Sequence, residues 1–328
     1  MTLTSALAAL GQWLLSQGYS FVSVTPATHR RVNARTSAST ASSLTDIFGW
    51  SRPFGAASLP ASILSLLDDC GALLKHGKLY RSGVRYSTLD DRLYVHSAFP
   101  TDDENAVFFG PDTYRFAGLI RDVVAARPGF ADASILDLGC GTGAGGLVAC
   151  SASGGRTALV MSDINTTALA YARANADVAG VEATFVHSDL FEKIPGSFDL
   201  IVANPPYLPD AKARLYRDGG GQLGSGLSVR IGLESVPHLA PGGTLVLYTG
   251  SCMVAGQDLL RSELEHIAFN AGAHCVYREL DPDVFGEELD LPGYETVDRI
   301  AVVSFVLTMP KSRNDARSRP AEATALAG

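Results

Sequence analysis

Four consecutive residues, Asn204-Pro205-Pro206-Tyr207, carry the most specific chemistry in this sequence. The two prolines lock the backbone and remove two N–H donors, which leaves the nearby carbonyls free to accept. Asn204 adds a side-chain acceptor. Together these groups can bind both hydrogens of a planar –NH2 group and aim its nitrogen lone pair at a methyl donor. Tyr207 offers a face on which a planar amide or base can stack, so its ring rather than its hydroxyl is expected to matter. No strong base is needed, because alignment and electrostatic support do the work.

Upstream lies Asp137-Leu138-Gly139-Cys140-Gly141-Thr142-Gly143, between a predicted strand and a predicted helix. Glycines there let the chain turn sharply and let a ligand approach the main chain. A pyrophosphate site favours Gly-x-Gly-x-x-Gly at a helix N-terminus. Here the glycines fall at 139, 141 and 143 and an acid opens the loop. A carboxylate at 137 suits a cationic amino-acid moiety, as in S-adenosylmethionine; a dinucleotide site and a plain tight turn are the alternatives. Asp163, 20 residues after Gly143, closes the next strand and can accept hydrogen bonds from a ribose diol.

These motifs need a frame that holds strand ends side by side. From about residue 133 the apolar rhythm alternates strand and helix. Strands are predicted at 135–138, 158–161, 184–186, 198–202, 244–248, 274–279 and 299–308. Helices are predicted at 147–152, 166–179, 227–239 and 256–271. This is an α/β pattern: a parallel sheet covered on both faces, with an antiparallel pair at one edge. Ahead of it, Leu3, Leu7, Leu10, Trp13 and Leu14 predict an amphipathic helix, residues 36–43 a loop, 57–75 a helical pattern, and 79–97 extended chain. The expected division is an accessory, substrate-recognition domain at 1–100, a catalytic domain at 101–310 and a disordered tail at 311–328.

In order and spacing, the glycine loop, the ribose acid and Asn204–Tyr207 resemble the amino-methylating class I S-adenosylmethionine-dependent methyltransferases, over residues 105–308. The nearest groups are the HemK-like release-factor glutamine methyltransferases and the small-domain methylases beside them. The Asn-Pro-Pro-Tyr motif is also shared with N6-adenine DNA and RNA methyltransferases. The resemblance implies a Rossmann-like sheet of seven strands, the last pair antiparallel, behind a largely helical N-terminal domain. It also implies S-adenosylmethionine as cofactor, held by Asp137, Gly139, Gly141, Gly143 and Asp163. Asp189, in Ser188-Asp189-Leu190, would meet the adenine amino group, and the Leu190 amide the ring. Asn204, Pro205, Pro206 and Tyr207 would be catalytic, with Asn204 also beside the cofactor. Pro111, Asp112 and Thr113 match a substrate-side segment of HemK-like enzymes. Gly110 stands where that family has Arg, and Tyr114 where it has Glu. Residues 217–227 resemble the family's glycine-containing segment, read either as a flap over the substrate or as a plain loop.

The implied activity is methyl transfer to a planar nitrogen. A protein glutamine comes first, N6 of adenine in RNA or DNA second, and a non-catalytic cofactor-binding scaffold third. Partners are then a release-factor-like protein or a nucleic acid. The chain has 328 residues, is 46% hydrophobic and 18% charged, and carries −8 net, which excludes a disordered or collagenous chain. Residues 1–100 hold nine Lys/Arg against five acids and the remainder carries −12, so the front is expected to meet an anionic partner. Five cysteines without metal or redox spacing indicate reduced thiols. With no membrane span and no basic leader in the sequence, a cytoplasmic location is expected. His29 and His96 are expected to be surface or core residues. Asp281, Asp283, Glu287 and Glu288 read as a solvated acidic loop in preference to a metal site.

Overall fold

The computed structural model describes residues 2–35, 39–127, 130–154, 157–209 and 215–311. The expected tail, from 312 onward, and residues 36–38 of the small-residue loop lie outside the described residues. The N-terminal part holds α1 (Leu3–Ser16), α2 (Pro26–Asn33), α3 (Leu44–Phe48) and α4 (Ala61–Asp69). Two hairpins follow: β1 (Leu73–His76) with β2 (Leu79–Ser82), and β3 (Val84–Leu89) with β4 (Arg92–Ser97). This part is therefore mixed, not largely helical. The 57–75 pattern breaks in two: α4 stops at Asp69, Gly71 turns the chain at φ +69°, and Leu73 and Leu74 enter β1. In α1, Leu7, Leu10 and Leu14 are buried, but Leu3, in the first turn, is 39% exposed. His29 and His96 are both core residues, and burial lowers the pKa of each.

The catalytic part begins with α5 (Pro111–Ala125), a helix the apolar pattern did not single out. Then come β5 (Ser134–Leu138), α6 (Ala144–Ala152), β6 (Ala158–Asp163), α7 (Thr166–Ala179), β7 (Thr184–His187) and β8 (Phe198–Ala203). The chain closes with α8 (Gly226–Ser235), β9 (Leu239–Val254), β10 (Gln257–Asp258), α9 (Leu259–Asn270), β11 (His274–Asp281) and β12 (Arg299–Thr308). The main sheet runs β11-β12-β9-β8-β5-β6-β7, with β10 paired to the end of β9. Strands β7, β6, β5, β8 and β9 are parallel, and β12 is antiparallel to both its neighbours. Neighbouring residues of one strand point to opposite faces. Thus Ile135 packs with Phe116 and Leu147 of α5 and α6, whereas Leu136 packs with Ile231 and Leu264 of α8 and α9. Being covered on both faces explains why β8 reads almost continuously apolar.

The chain lays down β5, β6 and β7 outward, then returns to place β8 on the other side of β5. That reversal leaves a crevice at the carboxyl ends of the strands, where ligands bind in such sheets. The N-terminal part docks beside it. Leu7, Leu10 and Tyr86 share a core with Ala168, Tyr171 and Ala174 of α7. Asn175 of α7, 1% exposed, joins the two parts. Its Oδ1 accepts from Val95 N at 2.7 Å, and its Nδ2 donates to Val95 O at 3.2 Å and to Thr142 O at 2.9 Å. Asn175→Ala strips three buried backbone groups of their partner, and it should destabilise the protein by about 3 kcal/mol. Chemical unfolding of the two proteins measures this.

Candidate active site

A pocket of about 390 Å³ opens at the carboxyl ends of β5, β6, β7 and β8, within the usual ~300–1,000 Å³ of ligand sites. Asp112, Thr113, Asp137, Gly139, Gly141, Asp163, Asp189, Leu190 and all of Asn204–Tyr207 line it. Pro111 and Gly143 are not among the lining residues. Pro111 opens α5. Gly143, at φ +75°, lies where a Cβ would stand 2.9 Å from Met161 Sδ, so its missing side chain serves helix packing.

One end of the pocket fits a cationic nucleoside. Gly139 and Gly141 take φ of +64° and +53°, and a Cβ on either would project into open space. Their main chain is therefore bare toward the pocket. Asp137 is 2% exposed, and its Oδ2 accepts from Gly146 N at 2.7 Å. Gly145 is what allows α6 to start so close, because a Cβ there would stand 2.8 Å from the Phe116 ring and 3.0 Å from Asp137 Oδ1. Burial pushes the Asp137 carboxyl up to about 7; the Gly146 amide opposes the shift and the charge of Asp163 adds to it. Asp163 accepts from Gly141 N and Asn165 N, each at 2.8 Å, which pins the glycine loop to β6. Burial raises its pKa as well. Leu190 holds φ +41°, a rare conformation for leucine, and sits buried on the pocket wall. These residues fit an adenosyl ligand with an amino-acid end: open backbone for close approach, and carboxylates for an ammonium and a diol.

The other end is organised by Asp112. Its Oδ2 accepts from Tyr207 Oη at 2.9 Å, and its Oδ1 accepts from Tyr248 Oη at 2.8 Å. Arg115 pairs with it at 3.3 Å. Burial, then the Asp112 charge, holds the Tyr207 hydroxyl far above its usual pKa, so it stays a donor. The Tyr207 hydroxyl is thus engaged within the protein, a tie that the sequence reading, centred on the ring, did not include. Its residue is 8% exposed, and its ring lies against Gly250, where a Cβ would stand 2.3 Å from the ring. No described residue donates to or accepts from the Asn204 side chain, which stands at the end of β8 on the pocket wall. The glycine segment after the motif is knitted down at its glycines. A Cβ on Gly219 would stand 2.0 Å from Gly224 O, and one on Gly224 would stand 2.5 Å from Tyr207 O. Gly219 N also donates to Leu208 O. Residues 219–226 thus brace the Asn-Pro-Pro-Tyr loop and do not form a free flap.

Sequence reasoning missed Tyr248, Gly145, Gly146 and Phe285. Tyr248 had only its place at the end of a predicted strand. The Gly145-Gly146 pair carried a signal, two glycines where a helix begins. The acidic stretch is not merely solvated: Asp281 pairs with Arg115 at 2.9 Å, and Glu288, 7% exposed, pairs with Arg217.

The pattern of a Methyltransferase small domain matches residues 119–269. A relative bearing the name protein N5-glutamine methyltransferase, from Methanocaldococcus jannaschii, is 34% identical over 141 residues, 41% of this chain and 70% of the relative. The release factor glutamine methyltransferase of Deinococcus radiodurans is 31% identical over 167 residues, 47% of this chain and 55% of the relative. The ribosomal RNA small subunit methyltransferase C of Pasteurella multocida is 32% identical over 142 residues, 43% and 38%. The chain thus spans about half or less of the last two relatives.

Two outcomes follow from Asp137. In the ligand-free protein its raised pKa means that the native state keeps a proton the unfolded state releases. This contribution to stability is present below about 4 and is lost as pH rises through about 7. Binding of a cationic ligand runs the opposite way, because only the ionised carboxylate attracts it. S-adenosylmethionine affinity should strengthen roughly ten-fold per unit from pH 5 toward 6.5 and level off above 7. Asp137→Asn should remove that slope. Calorimetric titration across the range decides it; a pH-independent wild-type affinity would contradict the assignment.

Proposed function

Because this chain belongs to the Methyltransferase small domain family of S-adenosylmethionine-dependent methyltransferases, we propose that its acceptor is the side-chain amide nitrogen of a glutamine in a protein substrate. The carrying observation is the Asn204 side chain, which has no hydrogen-bond partner among the described residues, beside two prolines, a cluster that offers acceptors and withholds donors. When bound, S-adenosylmethionine supplies an electrophilic methyl carbon on a sulfonium centre. Asp137 holds the cofactor's ammonium, Asp163 its ribose, and the Asp189–Leu190 turn its adenine. Asn204 Oδ1 and the carbonyls beside it accept the two N–H hydrogens of the amide, which turns the nitrogen lone pair toward the methyl carbon. The nitrogen would bond to the methyl carbon as the carbon–sulfur bond breaks, and would shed one of the two hydrogen-bonded protons to solvent. Asp112, through the Tyr207 hydroxyl, keeps the loop in register.

Two observations support a protein amide over a nucleobase. The first is the names of the two glutamine methyltransferase relatives. The second is charge. Among the described residues, the charged groups lining the pocket are Asp112, Asp137, Asp163, Asp189, Asp218 and Arg217, and Arg217 is paired with Glu288. A phosphate backbone finds little attraction there. The basic front is also partly used inside the fold: Arg85 is 3% exposed, Arg52 pairs with Asp46, and Arg92 donates to Leu147 O. Arg30, Arg31 and Arg35 are exposed on and just after α2, whose first residue, Pro26, reaches the pocket rim. They favour the second reading, N6 of adenine in RNA or DNA. In either case residues 1–100 would present the substrate.

The deciding experiment incubates the protein with labelled methyl donor and cell extract, then splits the product by protease and by nuclease. Protease-sensitive label on glutamine supports the proposal, and nuclease-sensitive label replaces it with the RNA reading. Asn204→Ala should leave cofactor affinity within two-fold and slow single-turnover transfer at least 100-fold. Tyr207→Phe should slow it about ten-fold, since the ring remains but its tie to Asp112 is gone. Wild-type rates in both variants would remove the Asn-Pro-Pro-Tyr loop from the chemistry.

A further inference from the structure

The loop between β11 and β12 has no part in the proposed chemistry, yet it is fastened over the acceptor end. Phe285 lines the pocket, half-buried, with its ring centroid 6.0 Å from that of Tyr207 at an interplanar angle of 59°. The loop is fastened from two sides. Asp281 pairs with Arg115 of α5, the helix that carries Asp112. Glu288 pairs with Arg217, itself a lining residue. Main-chain bonds complete the hold, from Val284 N to Ile300 O at 2.9 Å and from Glu288 N to Phe285 O at 2.8 Å.

The backbone at Phe285 takes φ +55° and ψ +37°. A bulky side chain is rare in that left-handed region, which glycine occupies freely. Strain of this kind persists where the surroundings over-determine it, and it clusters at functional sites. Gly286 lies next in the chain, so a glycine at the strained position itself would have been locally easier. Tyr207, meanwhile, is 8% exposed, with its ring against Gly250 and its hydroxyl on Asp112. The stacking face expected of Tyr207 is thus largely committed, while the half-buried aromatic ring beside it is Phe285.

From this geometry we infer that Phe285 is the specificity-determining wall of the acceptor subsite, the face on which the planar group carrying the methyl-accepting nitrogen lies. The inference rests on the reading that the Asn204–Tyr207 end receives the acceptor. The loop's two ion pairs set the height of the wall, so Glu288 and Arg115 act as positioning residues. Selection is then by flatness and thickness: a planar amide or ring slides between Phe285 and the Asn-Pro-Pro carbonyls, and a tetrahedral amine does not.

The test uses the full chain, labelled S-adenosylmethionine and a concentration series of nuclease-treated extract protein. Phe285→Ala and Phe285→Gly should raise the apparent KM at least ten-fold and keep cofactor affinity within two-fold by calorimetry. Phe285→Tyr should restore near-wild-type transfer. Phe285→Gly should melt less far below wild type than Phe285→Ala, because both lose the ring's packing and only the glycine relieves the left-handed strain. Glu288→Gln should give an intermediate rise in KM. Unchanged KM in Phe285→Ala and Phe285→Gly overturns the inference, as does a loss of cofactor affinity that matches the loss of transfer. Mass spectrometry of the product tests the glutamine reading separately. If the methyl is found on nucleotides instead, that reading fails, and the same KM contrast on RNA still decides Phe285. Absence of any transfer overturns both.

Discussion

A single carboxylate holds the acceptor half of this site together. Asp112 is 7% exposed, and burying a charge there is costly unless it is well paired. Its partners come from different parts of the chain: Tyr207 from the loop after β8, Tyr248 from β9 and Arg115 from its own helix. Arg115 extends the chain of contacts to Asp281 and so to the loop that carries Phe285. Removing any one partner leaves a buried charge undersatisfied, so the set behaves as a unit. Placing Asp112 at the first turn of α5 also puts its negative charge near the positive end of that helix.

The donor half follows the same logic with different partners. Asp137 and Asp163 sit at the carboxyl ends of adjacent strands and take backbone amides as partners, not arginines. Neither carboxylate is paired with an arginine or lysine, and the charge of Asp163 adds to burial in raising the pKa of Asp137. A cation with hydroxyls nearby relieves that repulsion on binding. On the proposed reading the two halves select complementary things. One holds carboxylates with no cationic side-chain partner, for a cationic donor. The other has its charges paired internally and leaves the Asn204 amide for a neutral acceptor.

Much of this was legible in the residues because it is local. The glycine loop, Asp163 and Asn204–Tyr207 are short motifs at strand ends, and the α7 and β12 boundaries coincide with their apolar patterns, 166–179 and 299–308. What escaped was decided by partners far away in sequence. Tyr248 meets Asp112 across 136 residues, and Tyr207 meets it across 95. Nothing near Tyr207 announces that its hydroxyl is taken. Strand β9 continues to Val254 because β12 pairs with it from Thr244 to Met253 and β10 pairs with its last two residues, not because residues 249–254 form a strand pattern by themselves. The acidic stretch at 281–288 looks solvated in sequence, since the arginines that pair with it lie at 115 and 217.

The same reasoning gives meaning to the two departures from the HemK-like segment. Gly110 has φ −162°, an extended conformation open to any residue, so its backbone does not require glycine. Its neighbour does: a Cβ at 110 would stand 2.5 Å from the Phe108 ring. That ring lies parallel to Tyr216, 6.1 Å away, and lines the pocket. An aromatic wall thus occupies the space an arginine side chain would need. Tyr114 accepts from Ser23 N at 2.9 Å and packs edge-on against Phe109. The position that carries an acid in the family here joins the N-terminal part to α5. Pro111, Asp112 and Thr113 are kept between these changes, and they are the residues that start the helix and hold Tyr207. The helix start and the Asp112 anchor are the part of the segment that matches the HemK-like pattern. The flanking changes reshape the wall and its coupling to residues 1–100, which is where a different acceptor surface would have to be accommodated.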